Sequence, residues 1–307
     1  MIIFNSRFQV FKKIICNPGF CCIYFVERYG KYLPDKLYLQ LIYRLHMGKS
    51  LNLNCPKTFN EKLQWLKLYD RNINYTTMVD KLAVKKYVSD KIGSKYVVRL
   101  IESWDSVEQI EWEKLPSQFV LKTTHDGGGS SVVLCRDYSK FNRQFAIDKL
   151  KVSMKHEIYS RYREWPYKNV PHKIIAEEYL EDELNVGTLM DYKVMCFNGK
   201  PKLIQVHKGR FKEHTQDFYD LNWNLLPITQ GLPMSKEPIK RPVALEEMLR
   251  LSSILSEGIP FLRVDWYIVQ NRLYFGEMTF FDASGFDDFD QDKYNYLLGD
   301  WIVLPNK

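Results

Sequence analysis

Phe261-Leu-Arg-Val-Asp-Trp-Tyr-Ile-Val269, then Gln270-Asn-Arg272, then Leu273-Tyr-Phe-Gly-Glu-Met-Thr-Phe280 read as two strands joined by a short turn. Both flanks are rich in β-branched and aromatic residues, and a three-residue connection forces antiparallel pairing. With Val269 facing Leu273, the register sets Asp265 opposite Glu277 and Arg263 opposite Thr279. Side chains alternate across a pleated strand, so Arg263, Asp265, Glu277 and Thr279 share one face. Val264, Trp266, Gly276 and Met278 share the other. Two carboxylates opposite each other, with Cβ atoms about 5 Å apart, repel unless a cation lies between them. Arg263 is one such cation. A divalent ion in an all-oxygen site, with Mg²⁺ the best match, is another. The hairpin alone leaves the two readings equal.

Upstream, Phe119-Val-Leu-Lys-Thr-Thr124 has strand composition, His125-Asp126 leads into Gly127-Gly128-Gly129, and Ser131 to Cys135 returns as a strand. Three glycines free the backbone to aim its N–H groups at phosphate oxygens, with Lys122 as a nearby point charge. The spacing fits neither GxxxxGK[ST] nor GxGxxG, and alone the segment reads first as a loose hairpin. Further strands are expected at 173–180, 190–197 and 202–207, the last two joined by Asn198-Gly199. Residues 1–115 read mainly as helices. Asp35 caps one through Leu45, with Leu37, Leu41, Ile42 and Leu45 as its stripe. Thr58 and Glu61 form a capping box ahead of Leu63, Trp65, Leu66 and Leu68. A third helix runs from about Val79 to Ile92 and ends at Gly93. Helices are also expected at 139–158 and 242–257, with a loop-rich stretch at 209–240.

Of the 307 residues, 45% are aliphatic or aromatic and 26% charged, a folded composition long enough for two or three joined lobes. The 20 Tyr, 18 Phe and 7 Trp fill cores first, and line sites for rings and sugars second. The net charge of +7 comes without a long Lys/Arg block, zinc-finger spacing or RNP-like stretch, so no nucleic-acid partner is expected. Cys16, Cys21, Cys22, Cys55, Cys135 and Cys196 form no CxxC pair and read as reduced thiols of a cytoplasmic protein. The longest apolar run, Phe20 to Val26, is far short of the ~20 residues of a membrane helix. Asn17-Pro-Gly19 interrupts the start, and no signal-peptide cleavage site follows. The basic and aromatic residues of 1–30 leave peripheral membrane contact as a secondary expectation.

Other candidates have ordinary readings beside them. His125 is a phosphate contact or a loop histidine. Lys208, Arg210 and Lys212, alternating with His207 and Phe211, read first as a solvated edge and second as a grip on an acidic substrate. Arg161, Arg163 and Lys168 with Trp165 and Tyr167 suit a sugar or acid contact and an amphipathic surface equally. Asp287, Asp288, Asp290 and Asp292 lack the glycine and final glutamate of a calcium loop.

The order of the pieces, from lysine-bearing strand through glycine turn and acidic strand to carboxylate hairpin, resembles the ATP-grasp superfamily. Within it the chain is most similar to the TupA-like branch of bacterial surface-polysaccharide loci. The residues that carry this are Pro56-Lys-Thr-Phe-Asn-Glu-Lys62, Asp80-Lys81, Leu115-Pro-Ser-Gln-Phe-Val-Leu-Lys122 and Ala176-Glu-Glu-Tyr179. They continue with Asp191-Tyr-Lys-Val-Met-Cys-Phe-Asn-Gly-Lys200, Arg263-Val-Asp265 and Phe275-Gly-Glu-Met-Thr279. Together they span roughly residues 35 to 304. The resemblance implies an α+β, ATP-grasp fold of two lobes gripping ATP. Residues 1–115 would be a helical N-terminal region, 116–180 the small lobe with its glycine lid, and 181–307 the large lobe with the metal site.

It also implies roles. Lys122 and Lys81 would meet the nucleotide phosphates, and Gly127, Gly128 and Gly129 would close over them. Glu177, Glu178, Tyr179 and Leu180 would form the hinge against adenine, and Glu183 would meet the ribose. Lys193 would reach the γ-phosphate or the activated intermediate, and Arg263 would orient the acceptor carboxylate. Asp265 and Glu277 would hold Mg²⁺, with Thr279 standing where many members carry Asn. The activity implied is a carboxylate–amine ligase working through an acyl phosphate, its substrate a small acidic sugar or amino acid. A polysaccharide-locus glycosyltransferase and a non-catalytic nucleotide-binding assembly protein are the rivals. Oligomeric state is not legible.

Overall fold

A computed structural model describes residues 18–127, 129, 131–181, 189–209 and 213–306. Gly128, Glu183, Arg210, Phe211, Lys212 and residues 1–17 of the expected membrane contact lie outside the described residues.

The strand-forming segments collect into two antiparallel sheets. The first holds β1 (Leu100–Trp104), β2 (Phe119–Thr123), β3 (Val133–Cys135) and β4 (Ile174–Glu178) in the order β1-β4-β2-β3. The second holds β5 (Asp191–Phe197), β6 (Lys200–Lys208), β7 (Thr215–Tyr219), β8 (Leu225–Leu226), β9 (Phe261–Val269) and β10 (Arg272–Thr279) in the order β10-β9-β5-β6-β7-β8. β5 is buried along its whole length, which is why Tyr192-Lys-Val-Met-Cys-Phe197 is nearly continuous in apolar residues. Trp266 on β9 is fully buried and donates its indole N–H to the Ser252 hydroxyl at 2.8 Å, tying the sheet to the helix Leu245–Leu255. The smaller sheet has its own core, where Phe119, Leu121 and Ile174 meet Ala146 and Leu150 of the helix Arg143–Ser153. Mixed helices and antiparallel sheets give the expected α+β class.

The capping box forms as read: the Glu61 N–H donates to Thr58 Oγ1 at 3.3 Å, and Thr58 N–H to Glu61 Oε2 at 3.0 Å. Several other expectations need correcting. The helix Asp35–Met47 buries Tyr38, Leu39, Ile42, Tyr43 and Met47 and leaves Leu37 and Leu41 exposed. Its buried stripe is aromatic as well as aliphatic, and counting leucines misses it. Asp35 is the first helical residue rather than the cap; its carboxylate accepts from Tyr159 and pairs with Arg163 at 3.0 Å. The helix expected from about Val79 to Ile92 starts later, at Ala83, and a separate short helix, Asn74–Val79, precedes it. The break is made by Asp80, whose Oδ1 accepts from the N–H groups of Leu82 and Ala83 at 2.8 and 3.2 Å. β7 and β8 lie in the stretch read as loop, and β1 lies in the stretch read as mainly helical.

The β9–β10 turn has two residues, not three. Gln270 and Asn271 both take positive φ, +49° and +61°, and Val269 faces Arg272. That register alone would miss the expected pairs by one residue. A bulge at Gly276 restores them: beyond it Glu277 faces Asp265 and Thr279 faces Arg263. A Cβ at Gly276 would lie 3.1 Å from the Asp265 carbonyl oxygen and 3.2 Å from Tyr267 Cε2, a close fit that a glycine at the bulge avoids.

Candidate active site

Cross-strand pairing lays Gln205 of β6, Lys193 of β5, Asp265 of β9 and Glu277 of β10 along one line across the large sheet. Lys193 and Asp265 are buried, at 5% and 3% exposure, whereas the Glu277 side chain keeps 31% of its surface. Arg263 grips Asp265 bidentately, Nε to Oδ1 at 2.7 Å and Nη2 to Oδ2 at 2.8 Å. Its Nη2 also reaches Glu277 Oε1 at 3.2 Å and Thr279 Oγ1 at 3.1 Å, and its Nη1 donates to Asp282. Lys193 Nζ donates to Asp265 Oδ2. Burial alone would raise the Asp265 carboxyl, but Arg263 and then Lys193 outweigh it and hold it down to about 2. One cationic nitrogen thus sits where three acceptor oxygens from two strands converge.

The small sheet carries a second charged cluster. Glu177 of β4 is buried between Lys122 of β2, at 2.6 Å, and Lys85 of the helix Ala83–Ile92, at 2.5 Å. Burial pushes the Glu177 carboxyl up, but Lys122 and Lys85 together bring it down to about 2. Lys81, placed by the Asp80 break, bonds through its N–H to the Thr124 carbonyl at 3.1 Å and through Nζ to the Asp126 carbonyl. Burial lowers the Lys81 pKa, and Glu277 of the large sheet and Asp126 and Glu177 of the small sheet oppose that shift. Lys81 therefore lies where the two clusters meet. Lys81, Lys85, Lys122, Glu177, Phe275 and Gly276 line a cavity of about 20 Å³ between the sheets, room for about one water.

The glycine turn follows directly. Asp126 accepts the Ser131 N–H at 2.8 Å and closes the base of the loop, and Gly129 takes φ +76°. At the end of β4 Glu178 is exposed, and beyond it Tyr179 and Leu180 are half-buried. Of the expected site residues, Lys193, Arg263, Asp265, Glu277 and Thr279 form one network, and Lys122 and Glu177 form the other. Two participants were missed: Lys85 and Asp282. Lys85 lies in the first turn of the helix Ala83–Ile92, which starts four residues later than the sequence suggests. Asp282 sits in an irregular turn where Ala283 and Ser284 have φ +45° and +56°, and no periodic signal reveals it.

Among the described residues, no group of three or more His, Cys, Asp or Glu side chains is placed to hold a metal ion. The Asp288-x-Asp290 and Asp290-x-Asp292 pairs serve the fold: Asp288 accepts from Asn295, Asp290 from the Thr229 hydroxyl, and Asp292 pairs with Lys49 at 2.9 Å. No described helix is long and apolar enough to cross a membrane.

A family model for TupA-like ATP-grasp proteins matches residues 61–303, which include both clusters and the glycine turn. The chain belongs to the TupA-like ATP-grasp family. No curated protein matches it. Among solved structures it is similar to D-alanine–D-alanine ligase from Bacillus anthracis complexed with ATP, at 15% identity and TM-score 0.38, over 66% of this chain and 53% of that one. The Helicobacter pylori D-alanine–D-alanine ligase gives 14% identity and TM-score 0.42 over 80% and 69%. The ATP-grasp ligase PsnB, complexed with minimal precursor, Mg and ADP, gives 11% and 0.35 over 72% and 57%. The chain thus spans about half the length of the Bacillus enzyme.

Proposed function

We propose that this chain is an ATP-dependent carboxylate–amine ligase whose transfer site is the rung Lys193–Asp265–Glu277 with Arg263. The observation that carries the reading is the convergence of Asp265, Glu277 and Thr279 oxygens on one cationic nitrogen of Arg263. An all-oxygen set of this kind suits a hard divalent ion, so the three residues fit Mg²⁺. When bound, Mg²⁺ would neutralise charge on the triphosphate oxygens.

In the reaction, a carboxylate oxygen of the acid attacks the γ-phosphorus of ATP, and ADP leaves. The amine then attacks the acyl carbon, loses a proton to solvent, and phosphate leaves carrying that carboxylate oxygen. Lys193 supplies a fixed cation beside the γ-phosphoryl position, and Lys122 and Lys81 supply two more from the small-sheet side. Arg263, freed from part of its carboxylate contacts, can hold the substrate carboxylate with its fork. Glu177, Glu178, Tyr179 and Leu180 would bound the adenine, and Gly127 and Gly129 would close over the phosphates. The cavity between the sheets is far smaller than a nucleotide. Entry of ATP there therefore requires the sheets to part or Lys122 and Lys85 to separate from Glu177. In the setting that the family resemblance implies, the product is an amide on a surface-polysaccharide precursor. The acid would be a uronic acid or an amino acid.

Incubating the protein with ATP, Mg²⁺ and pools of uronic acids, amino acids and amines tests this. ADP released only when both acid and amine are present supports the ligase. UDP released from a nucleotide sugar without ATP would make it a glycosyltransferase instead, and ATP binding without turnover would leave a nucleotide-binding protein.

A further inference from the structure

The helix Pro18–Tyr29 is apolar on two opposite faces. Ile23 and Val26 turn inward and pack against the main core, and just beyond them a Cβ on Gly30 would lie only 2.8 Å from Tyr38 Cε2. On the far side Phe25 and Tyr29 are 61% and 56% exposed, their rings 4.6 Å apart, and Tyr32 in the turn Gly30–Tyr32 is 84% exposed. One apolar face is what packing on a core requires. A second, made of three large rings, points to another partner. The next helix, Asp35–Met47, leaves Leu37 and Leu41 exposed in the same way.

The charges around these rings are sorted. The carboxylates of Glu27 and Asp35 are drawn inward, Glu27 to Arg161 at 2.9 Å and Asp35 to Arg163 at 3.0 Å. Arg28, Lys31 and Lys36 are exposed and, among the described residues, pair with no carboxylate. Lys31 Nζ sits 4.9 Å over the Tyr32 ring, a surface contact in which an ammonium keeps its three N–H donors. Glu157 is exposed at a cavity of about 380 Å³ that Lys31 and Tyr32 also line, but Lys168 is exposed there too, so the local balance stays positive.

The sequence ahead of this surface has the same character. No Asp or Glu precedes Glu27, whereas Arg7, Lys12 and Lys13 do. Phe4, Phe8, Phe11 and Ile15 recur at the spacing of one apolar helical stripe. Rings and aliphatic side chains bordered by cations suit the boundary of an anionic bilayer, where rings settle among headgroups and the cations meet phosphates. Nucleic acid would engage the rings and cations but has no use for Leu37 and Leu41.

We propose that the outward face formed by Phe25, Arg28, Tyr29, Lys31, Tyr32 and Lys36 is a docking surface for an anionic lipid bilayer, on which the chain lies without crossing it. This docking goes beyond the ligase reading and does not depend on it.

Full-length protein is floated with vesicles of phosphatidylcholine alone and with vesicles containing about 30 mol% phosphatidylglycerol, at low and high salt. Partition onto the anionic vesicles should be at least about ten-fold stronger than onto the neutral ones, and should fall at least about five-fold at about 0.5 M NaCl. Arg28→Gln/Lys31→Gln should weaken it about ten-fold and Phe25→Ser/Tyr32→Ser about five-fold, with Tm unchanged because all four side chains are exposed. Arg28→Lys/Lys31→Arg should bind as the wild type does. Absent partition, equal partition onto the two kinds of vesicle, or wild-type partition in either of the first two double variants overturns the proposal. So does a dimer in sedimentation that Phe25→Ser/Tyr32→Ser dissociates, since a second copy then covers the face, and so does retention of single-stranded RNA in place of vesicles.

Discussion

Asp265 and Glu277 face each other with the same charge, yet the fold depends on them unequally. Asp265 compensates two buried cations, Arg263 and Lys193, whereas Glu277 offers a half-exposed carboxylate to one nitrogen of Arg263. Neutralising Asp265 leaves buried charge unpaired, so Asp265→Asn should cost about 3 kcal/mol in urea denaturation. Glu277→Gln should cost less than about 1 kcal/mol. Both should lower ADP release on the order of 100-fold or more, which makes Glu277→Gln the cleaner probe of chemistry. Gly276→Ala forces a Cβ against the Asp265 carbonyl and Tyr267. It should destabilise by about 2 kcal/mol and shift Glu277 away from Asp265, so that activity falls with stability. The facing pair was legible because side chains alternate in strands. The bulge that creates it was not: a three-residue turn and a two-residue turn plus one bulged residue give the same pairing.

Among the elements, β4 and the helix Ala83–Ile92 are joined by charge. Glu177 holds Lys122 and Lys85 on either side. Its carboxyl, held at about 2, lies below the usual value near 4.3, so the ionised form stabilises the fold. That stabilisation is complete only well above about 4.3 and fades as pH falls from about 5 toward 2. Glu177→Gln should therefore cost about 3 kcal/mol at pH 7, and the gap to wild type should narrow between about pH 5 and pH 2. A gap that stays constant on acidification would contradict the ion-pair account. Thr58 and Glu61 were readable as a cap because both partners are close in sequence. The helix break at Asp80 carries the same kind of signal, an aspartate ahead of two N–H groups, but apolar residues on both sides mask it. Lys81 owes its position to that break.

At the scale of the whole molecule, the order of motifs along the chain revealed more than any one of them. The α+β class and the family follow from that order, while the meeting of Lys81 with the carboxylate hairpin depends on contacts between residues nearly 200 positions apart. No local pattern encodes such a contact. The central claim is that these clusters together activate a carboxylate with ATP, and an isotope transfer tests it most directly. The acid of whichever acid–amine pair supports ADP release is labelled with oxygen-18 in its carboxylate, and the phosphate produced is examined by phosphorus NMR. Passage through an acyl phosphate predicts one labelled oxygen in each phosphate released. Unlabelled phosphate, with product formed at the normal rate, would contradict it.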